Sequence, residues 1–157
     1  IKFAPQADRG NDFGGQATVN DEAGAGLVAD TDNNLEAKNA GWYLLHIVNG
    51  VERIVNVLAP NVYLIGDTAP GGWNVDETGK FVIPETKDGE FVSPAFVASK
   101  EVRMCVNFGG YDWWKVEFIV LDGKIVYRGN GGDQERVSVS EGQKAYLNFT
   151  DGTGTFK

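Results

Sequence analysis

The chain has 157 residues and is 42% hydrophobic, so it can bury the core of one ordinary domain, or of one small domain and part of another. A formal net charge of -8, with Lys and Arg scattered along the chain, argues against binding to nucleic acid or to an acidic membrane surface, because both require clustered positive charge. One cysteine excludes a disulfide within the chain, and one histidine without a cysteine partner excludes the common zinc motifs.

The first sixty residues carry two clear strand patterns. Both segments, residues 43–48 and Arg53–Leu58, are short and mostly apolar, and His46 alternates with Leu45 and Ile47 in the first of them. Residues 21–29 are too rich in Gly and Ala for a stable helix, and residues 33–40 alone have helical potential. Because the chain opens at Ile1 rather than at Met, we expect a mature or trimmed product.

The remainder of the chain is also predicted to form short strands. Val102, Met104 and Val106 alternate with other side chains in the period-two pattern of a strand with one buried face. Asp122-Gly123 between two apolar runs is a strong signal for a two-residue hairpin. Further strands are predicted at residues 61–65, 91–97, 116–121, 124–127, 137–139 and 147–149. These patterns indicate an all-β protein, with no run of about 18 apolar residues that would mark a membrane-spanning helix.

The chain repeats part of itself. Residues 1–3, 11–13, 26–28 and 41–47 resemble residues 102–104, 116–118, 124–126 and 142–149 in the same order. We therefore predict that residues 1–58 are the C-terminal half of a preceding β-sandwich repeat, and that residues 59–157 form a complete repeat after a linker at Pro60. A half sandwich cannot bury its own core, so either the missing half lies upstream or the two parts pack as one body.

Three tryptophans stand in polar surroundings that a core cannot easily cover. Trp73 follows a turn of Gly, Asp and Pro directly after an apolar run, and Trp113 and Trp114 lie in a second polar loop further along the chain. Large flat rings in such loops are well suited to stacking on the apolar face of a sugar. Glycan binding is therefore the leading functional interpretation of these residues.

Three motifs in order carry a family resemblance. They are Gly-Asp-Thr-Ala-Pro-Gly-Gly-Trp at residues 66–73, Arg103 on a later strand, and Trp-Lys-Val-Glu-Phe at residues 114–118. Together they resemble the repeats of the SusE/SusF family, surface lipoproteins of Bacteroides starch-utilisation systems. The resemblance implies immunoglobulin-like β-sandwich repeats, similar to starch-binding modules, that bind α-glucans without hydrolysing them. It also implies exposure at the outer membrane, with other components of a glycan-uptake complex as partners; no signal peptide or lipid-anchoring cysteine is recognisable in the sequence.

By position, the resemblance assigns a sugar platform to Trp73, Arg103 and either Trp113 or Trp114. Arg103 stands where Lys is usual in the family, and it can still donate to sugar hydroxyls through its planar guanidinium. Glu117 stands where the first copy has Asp12, and the position of Trp114 falls on Arg9 in that copy. The first copy is therefore expected to lack the aromatic platform.

The adjacent tryptophans and their polar neighbours leave alternatives open. In an extended chain Trp113 and Trp114 point to opposite faces. Alternation with Val116 and Phe118 places Trp114 in the core, whereas the family alignment assigns Trp114 to the ligand. Polar side chains are also expected around a stacked sugar, the alternative being an ordinary solvated strand face, which explains Lys115 better. The polar candidates are Arg103, Asn107, Asp112 and Lys115.

Two other classes of function are alternatives. A protein-binding scaffold module predicts buried tryptophans and an exposed apolar patch elsewhere. A glycoside hydrolase needs two carboxylates at a set separation, and Asp112 and Glu117 are close in sequence without any sign of a buried acid with a raised pKa. The sequence has no nucleophile motif or phosphate loop, and the acidic turn at residues 30–34 lacks the Gly and Glu of a calcium loop. We therefore expect a non-catalytic protein without a cofactor.

Overall fold

The computed structural model describes residues 1–4 and 10–157, which form two compact units, Ile1–Pro60 and Asn61–Lys157. The division falls at the predicted linker. Within the described residues the only helical elements are two 3-10 turns, and no helix is long and apolar enough to cross a membrane. The prediction of an all-β protein is therefore confirmed, whereas the assignment of the first unit to half a repeat stays a prediction.

The first unit contains one three-stranded sheet and one separate hairpin. Its strands are β1 (Thr18–Asp21), β2 (Leu27–Ala29), β3 (Leu35–Ala37), β4 (Leu44–Asn49) and β5 (Arg53–Leu58). The sheet order is β1-β5-β4, with β1 parallel to β5 and β4 antiparallel to it, while β2 and β3 pair with each other. Val55 and Val57 on β5 are fully buried and pack in one core with Phe13, Ala25 and Leu35.

Residues 33–40, the one segment with any helical potential in a sequence without a convincing helix, contain strand β3. Asp30 accepts hydrogen bonds from the backbone N–H groups of Asp32 and Asn34, both at 2.8 Å, and Asn33 adopts a left-handed φ of 61°. These features make the tight turn that joins β2 to β3. The burial of Leu35 then favours the strand over a local helix.

The internal repeat predicted from the sequence appears as equivalent strand pairing. Phe3 forms an antiparallel bridge with Phe13 in the first unit, and the corresponding Met104 and Phe118 are paired in the second. Their backbone N–H and C=O groups bond in both directions between Phe3 and Phe13. Arg9, the position that corresponds to Trp114, lies outside the described residues.

The second unit is a single seven-stranded antiparallel sheet. Its strands are β6 (Val62–Ile65), β7 (Phe91–Val92), β8 (Arg103–Val106), β9 (Glu117–Leu121), β10 (Lys124–Tyr127), β11 (Ala145–Asn148) and β12 (Thr153–Phe156). Their order is β6-β8-β9-β10-β12-β11-β7. The sheet curls. Phe149, which follows β11, contacts both Phe91 of β7 and Phe118 of β9, at ring-centroid distances of 5.0 and 5.9 Å.

Strands β6, β8 and β9 are buried on both faces. Leu64 and Met104 are paired in register and fully buried on one face. On the opposite, outer face, Tyr63, Ile65, Cys105 and Val116 form a second buried cluster, over which Val75, Val106, Phe108 and Trp113 pack. The loops that carry the candidate residues therefore lie on this outer face.

Most strand predictions for the second unit are confirmed, with differences in length. The hairpin at Asp122-Gly123 joins β9 to β10, and its φ angles of 49° and 74° match the type I′ turn that such a pair favours. Residues 137–139 do not form a strand, since only a single bridge joins Ser138 to Glu101. The strand predicted at 91–97 ends at Val92 before Pro94, which has no N–H to donate. Strand β12, which contains Gly154, was not predicted.

Candidate functional site

Trp73 is held on the outer face by a loop that closes on itself. The Gly66 N–H donates to the Gly72 carbonyl at 2.8 Å, and Gly66 has a left-handed φ of 91° that a side chain would strain. A Cβ at Gly66 would lie 3.6 Å from the six-membered ring of Trp73, so the ring rests directly over this glycine. Trp73 Nε1 donates to Asp67 Oδ1 at 3.2 Å, and the side chain remains 54% exposed. The expected exposed ring is therefore present.

Trp113 lies beside Trp73 and forms a tilted pair with it. The two ring centroids are 5.4 Å apart and the ring planes meet at 50°. Trp113 is half-buried because its other side packs on the cluster of Tyr63, Ile65 and Cys105. We call Trp73 and Trp113 the tryptophan pair; it combines a fixed inner ring with a more exposed outer ring.

Trp114 points away from the core, so the expectation from alternation is wrong. Residues Trp113–Lys115 form a 3-10 turn, and the extended strand β9 begins only at Glu117. Alternation between opposite faces therefore does not apply at this position. Trp114 is 39% exposed and contacts two cations, with Lys115 Nζ 5.2 Å and Arg128 Cζ 5.5 Å from its ring centroid.

Arg103 faces the tryptophan pair, but it is neither solvated nor free. Its Cζ lies 5.9 Å from the Trp113 ring centroid, and its Cγ lies 3.4 Å from the position of a Cβ on Gly66. Its NH1 donates to Glu117 Oε1 at 2.7 Å and to Asp133 Oδ1 at 3.0 Å. These carboxylates raise the pKa of Arg103, with Asp133 the larger contributor. The residue is buried, in contrast to the polar strand face expected from the sequence.

Arg103 belongs to a charge-balanced cluster that we call the arginine network. Its members are Arg103, Arg128 and Arg136 with Glu101, Glu117 and Asp133. Glu117 is only 1% exposed and accepts from both Arg103 and Arg128. Asp133 also accepts from Arg136 at 2.6 Å, and the adjacent arginines, Arg103 first, lower the pKa of Asp133 to about 2. Three positive charges are thus compensated beside the tryptophan pair.

A cavity of about 440 Å³ opens beside Trp73 and the arginine network. Its lining residues are Asp67, Trp73, Lys100, Glu101, Arg103, Arg136 and Ser138. Lys100 Nζ lies 3.2 Å from Asp67 Oδ2 and lowers the pKa of that carboxyl. The size is typical of a small-molecule site, and the wall combines one aromatic face with donors and acceptors. Such a lining suits a ligand that carries many hydroxyl groups and no large apolar surface.

Several lining residues were not expected from the sequence. Glu101 and Ser138 are far apart in the chain and meet through an antiparallel bridge, and Arg136 reaches the cavity from the same returning segment. No spacing in the sequence signals this meeting. Lys100 carried no signal either, whereas Asp67 belongs to the motif at residues 66–73 and could have been singled out there.

Of the sequence candidates in the described part of the chain, Trp73 and Arg103 line the cavity, and Trp113 lies against Trp73 without lining it. Asn107, Asp112, Trp114 and Lys115 are exposed, and Lys115 Nζ lies 3.9 Å from Asp112 Oδ2. The structure thus brings Trp73, Arg103 and Trp113 together and leaves the other four on neighbouring surface. Cys105 is fully buried in the outer cluster, and burial raises the pKa of its thiol to about 12, as expected for a core cysteine.

Comparison with known proteins identifies the family of this chain. Residues 61–155, nearly the whole second unit, match the family described as SusF/SusE starch-specific carbohydrate-binding modules. The chain is 51% identical to the outer membrane protein SusF of Bacteroides thetaiotaomicron over 98% of its own length and 33% of that relative. It thus spans about a third of the length of the curated relative it matches.

The structural comparison agrees. The crystal structure of SusF from Bacteroides thetaiotaomicron matches 99% of this chain with a TM-score of 0.91 and 48% identity, and the match covers 36% of that protein. The predicted β-sandwich architecture is therefore confirmed, and a family of binding modules agrees with the expectation of a non-catalytic protein. The chain belongs to the SusF/SusE family of starch-specific carbohydrate-binding modules.

Proposed function

We propose that the second unit binds a starch-type α-glucan, without cleaving it, by stacking sugar rings on the tryptophan pair. The observation that carries the proposal is the pair itself. A 54% exposed ring, Trp73, and a fixed ring, Trp113, stand beside a polar cavity in the unit that matches the starch-specific family. A large exposed ring held by its own hydrogen bond is well suited to a ligand with an apolar face.

The tilt of the tryptophan pair favours a curved glycan. Because the ring planes meet at 50°, one flat ligand surface cannot lie against both rings. An α-1,4-linked glucan curves, so that successive sugars turn their faces relative to one another, whereas a β-1,4-linked glucan is a flat ribbon. The geometry therefore supports an α-linked ligand over xylan or cellulose.

The cavity supplies the polar part of recognition. Ser138 and Lys100 offer a hydroxyl and an ammonium, and Arg136 and Glu101 offer a guanidinium and a carboxylate on the same wall. Arg103 contributes by backing Trp113 and by lining the cavity, since two carboxylates already accept from its NH1. In this proposal Asn107, Asp112, Trp114 and Lys115 flank the site and do not form its centre.

A single open site of this kind binds with modest affinity, because the ligand buries little area. The matched relative is about three times as long as this chain, and repeated modules would raise the overall affinity through multivalency. That relative is named an outer membrane protein, so we place the module at the outer membrane surface, with other components of a glycan-uptake complex as partners. The scaffold alternative predicts shielded tryptophans, and the exposure of Trp73 favours the glycan.

Affinity electrophoresis tests the proposal. The wild-type protein is run in native gels that contain amylopectin, dextran, xylan or no polysaccharide, and we expect retardation in amylopectin alone. Trp73→Ala and Trp113→Ala should abolish it, whereas Val82→Ala, which trims an exposed apolar side chain away from the cavity lining, should not. No retardation of the wild type in any gel would contradict glycan binding. If Trp114→Ala abolished retardation and Trp113→Ala did not, the sugar would stack on Trp114, on the other side of the 3-10 turn, and not on Trp113.

A further inference from the structure

We infer that Glu117 is the positioning residue of the glycan site, since it anchors two arginines that each support one of the adjacent tryptophans. The inference rests on the proposed function and adds a residue that does not touch the ligand. Glu117 is nearly completely buried beneath the loop, and it is absent from the cavity lining in the described structure.

The carboxylate of Glu117 is divided between two guanidinium groups. Oε1 accepts from Arg103 NH1 and Oε2 accepts from Arg128 NH1, both at 2.7 Å. These are short charge-assisted hydrogen bonds, and burial protects them from screening by salt. One side chain therefore sets the positions of two cations, Arg103 on β8 and Arg128 directly after β10.

Each of these cations lies against a different tryptophan ring. Arg103 Cζ is 5.9 Å from the centroid of Trp113, and Arg128 Cζ is 5.5 Å from the centroid of Trp114. Both distances are within the range of an attractive cation–π contact. A chain of contacts thus runs from one buried carboxylate through two arginines to both rings of the 3-10 turn.

Side-chain contacts hold the rings of the turn: Trp113 packs on the outer cluster and contacts Arg103, and Trp114 contacts Lys115 and Arg128. Among the described residues, Asp112 at its start makes no capping hydrogen bond through its side chain, and the turn contains only three residues. Short 3-10 turns have poorer hydrogen-bond geometry than α-helices, so support from side chains matters more. Because Glu117 fixes Arg103, the inner ring of the tryptophan pair, Trp113, is preorganised before the ligand arrives.

The internal repeat offers an independent observation. Lys2 and Asp12 occupy the positions of Arg103 and Glu117 in the first unit, and their side chains also pair, with Nζ 3.9 Å from Oδ2. The negative charge at this strand position is therefore shared by both copies. In the second unit the equivalent pair is buried, and Glu117 also binds a second arginine, Arg128. The two arginines link the carboxylate to the rings of Trp113 and Trp114.

The substitution Glu117→Gln tests the role at nearly constant volume. The amide oxygen can accept from one arginine, but the amide NH2 then faces the other, so one support is lost. We expect amylopectin affinity to fall about tenfold, while Glu77→Gln, an exposed glutamate on the other 3-10 turn, leaves it unchanged. Glu117→Asp keeps the charge, as Asp12 does in the first unit, and should restore most of the binding.

A spectroscopic measurement separates positioning from general destabilisation. Two indole rings as close as Trp73 and Trp113 give an exciton couplet in circular dichroism, and Trp113→Phe identifies it. In the ligand-free Glu117→Gln protein, below its melting temperature, we expect a weakened couplet together with weakened binding. Wild-type binding and an intact couplet in Glu117→Gln would overturn the inference. Failure of the wild type to bind amylopectin would instead overturn the proposed function.

A second variant covers the case in which Glu117→Gln does not fold. Arg128→Gln removes the cation over Trp114 and leaves the bond between Glu117 and Arg103 in place. We expect acrylamide quenching of tryptophan fluorescence to rise, because Trp114 loses a contact, while the couplet of the tryptophan pair stays. Unchanged quenching would show that Arg128 does not support Trp114, and would overturn the inference that Glu117 acts on the rings through both arginines.

Discussion

Each unit contains an ion pair at the equivalent strand position, but the surroundings of the two pairs differ. In the first unit, Lys2 and Asp12 lie 3.9 Å apart with side chains 45% and 37% exposed. In the second, Arg103 and Glu117 lie 2.7 Å apart with side chains 10% and 1% exposed. The strand pairing beneath them is equivalent, since the bridge between Phe3 and Phe13 corresponds to the pair of Met104 and Phe118. What differs is the cover over the pair and the number of arginines that share the carboxylate.

The difference shows how a strand pair can acquire a role in binding. An exposed pair contributes little to stability because water screens both charges. A covered pair must satisfy every charge, and Glu117 does so by accepting from Arg103 and Arg128. The Cζ atoms of the two arginines then lie 5.9 and 5.5 Å from the ring centroids of Trp113 and Trp114. Burial thus converts a cross-strand ion pair into a support for an exposed aromatic surface.

Removal of the carboxylate in each unit should give the largest contrast. Glu117→Ala leaves two largely buried arginines without their shared partner, so we expect the free energy of unfolding to fall by about 3–5 kcal/mol. Asp12→Ala opens an exposed pair and should cost about 1 kcal/mol or less. Urea unfolding followed by circular dichroism measures both values. Equal losses in the two variants would show that burial does not distinguish the pairs.

The comparison also marks how far the sequence can predict this molecule. Asp122-Gly123 identified a hairpin because two consecutive left-handed residues have few other uses. The motif at residues 66–73 identified Trp73 as an exposed ring, because a Trp that directly follows a turn of Gly, Asp and Pro is difficult to cover. Features that depend on a few adjacent residues were therefore accessible before the structure.

Features that depend on long-range contacts were not. Glu117 lies on the outer face of β9, and no local pattern in the sequence shows that Trp113 and neighbouring loops cover that face. The cavity wall likewise needs the bridge between Glu101 and Ser138. Alternation alone misplaced Trp114, because a 3-10 turn interrupts the extended chain just before β9. The sequence therefore indicates where strands lie but not which of their faces are buried by distant loops.

A smaller effect is expected where the two sheets fill their cores differently. Strand β5 of the first unit buries Val55 and Val57, whereas β12 of the second carries Gly154. A Cβ at Gly154 would lie 2.6 Å from Val120 Cγ2 and 2.9 Å from Leu147 Cδ2. Gly154→Ala should therefore destabilise the protein by about 1–3 kcal/mol through overpacking.

Gly109→Ala is the matched control for this substitution. Nothing lies within 4 Å of a Cβ at Gly109, so the change should alter stability by less than about 0.5 kcal/mol. Tryptophan fluorescence during urea unfolding reports the comparison well, since Trp73, Trp113 and Trp114 all lie in the second unit. Equal stability of the two variants would mean that Val120 and Leu147 move aside at no measurable cost.

The smallest expected effect distinguishes a carboxylate held by arginines from one held by hydrogen bonds to a turn. Asp133 has its pKa lowered to about 2, chiefly by Arg103, and Asp30 of the first unit has a lowered pKa, chiefly through its hydrogen bonds with Asn34. Because the pKa of each carboxyl group is lower in the folded than in the unfolded protein, the ionised carboxylate stabilises the fold when the pH is above the unfolded-state pKa of about 3.8. This stabilisation is lost as the pH falls through the folded-state pKa. The melting temperatures of wild type and Asp133→Ala should therefore differ at pH 7 and converge from below pH 4 to about pH 2. Added salt should reduce the difference for Asp133→Ala, because the Asp133 side chain is 41% exposed and its partner Arg136 is 52% exposed. It should leave the difference for Asp30→Ala nearly unchanged. The same salt response in both variants would mean that the arginine network does not hold Asp133 by charge.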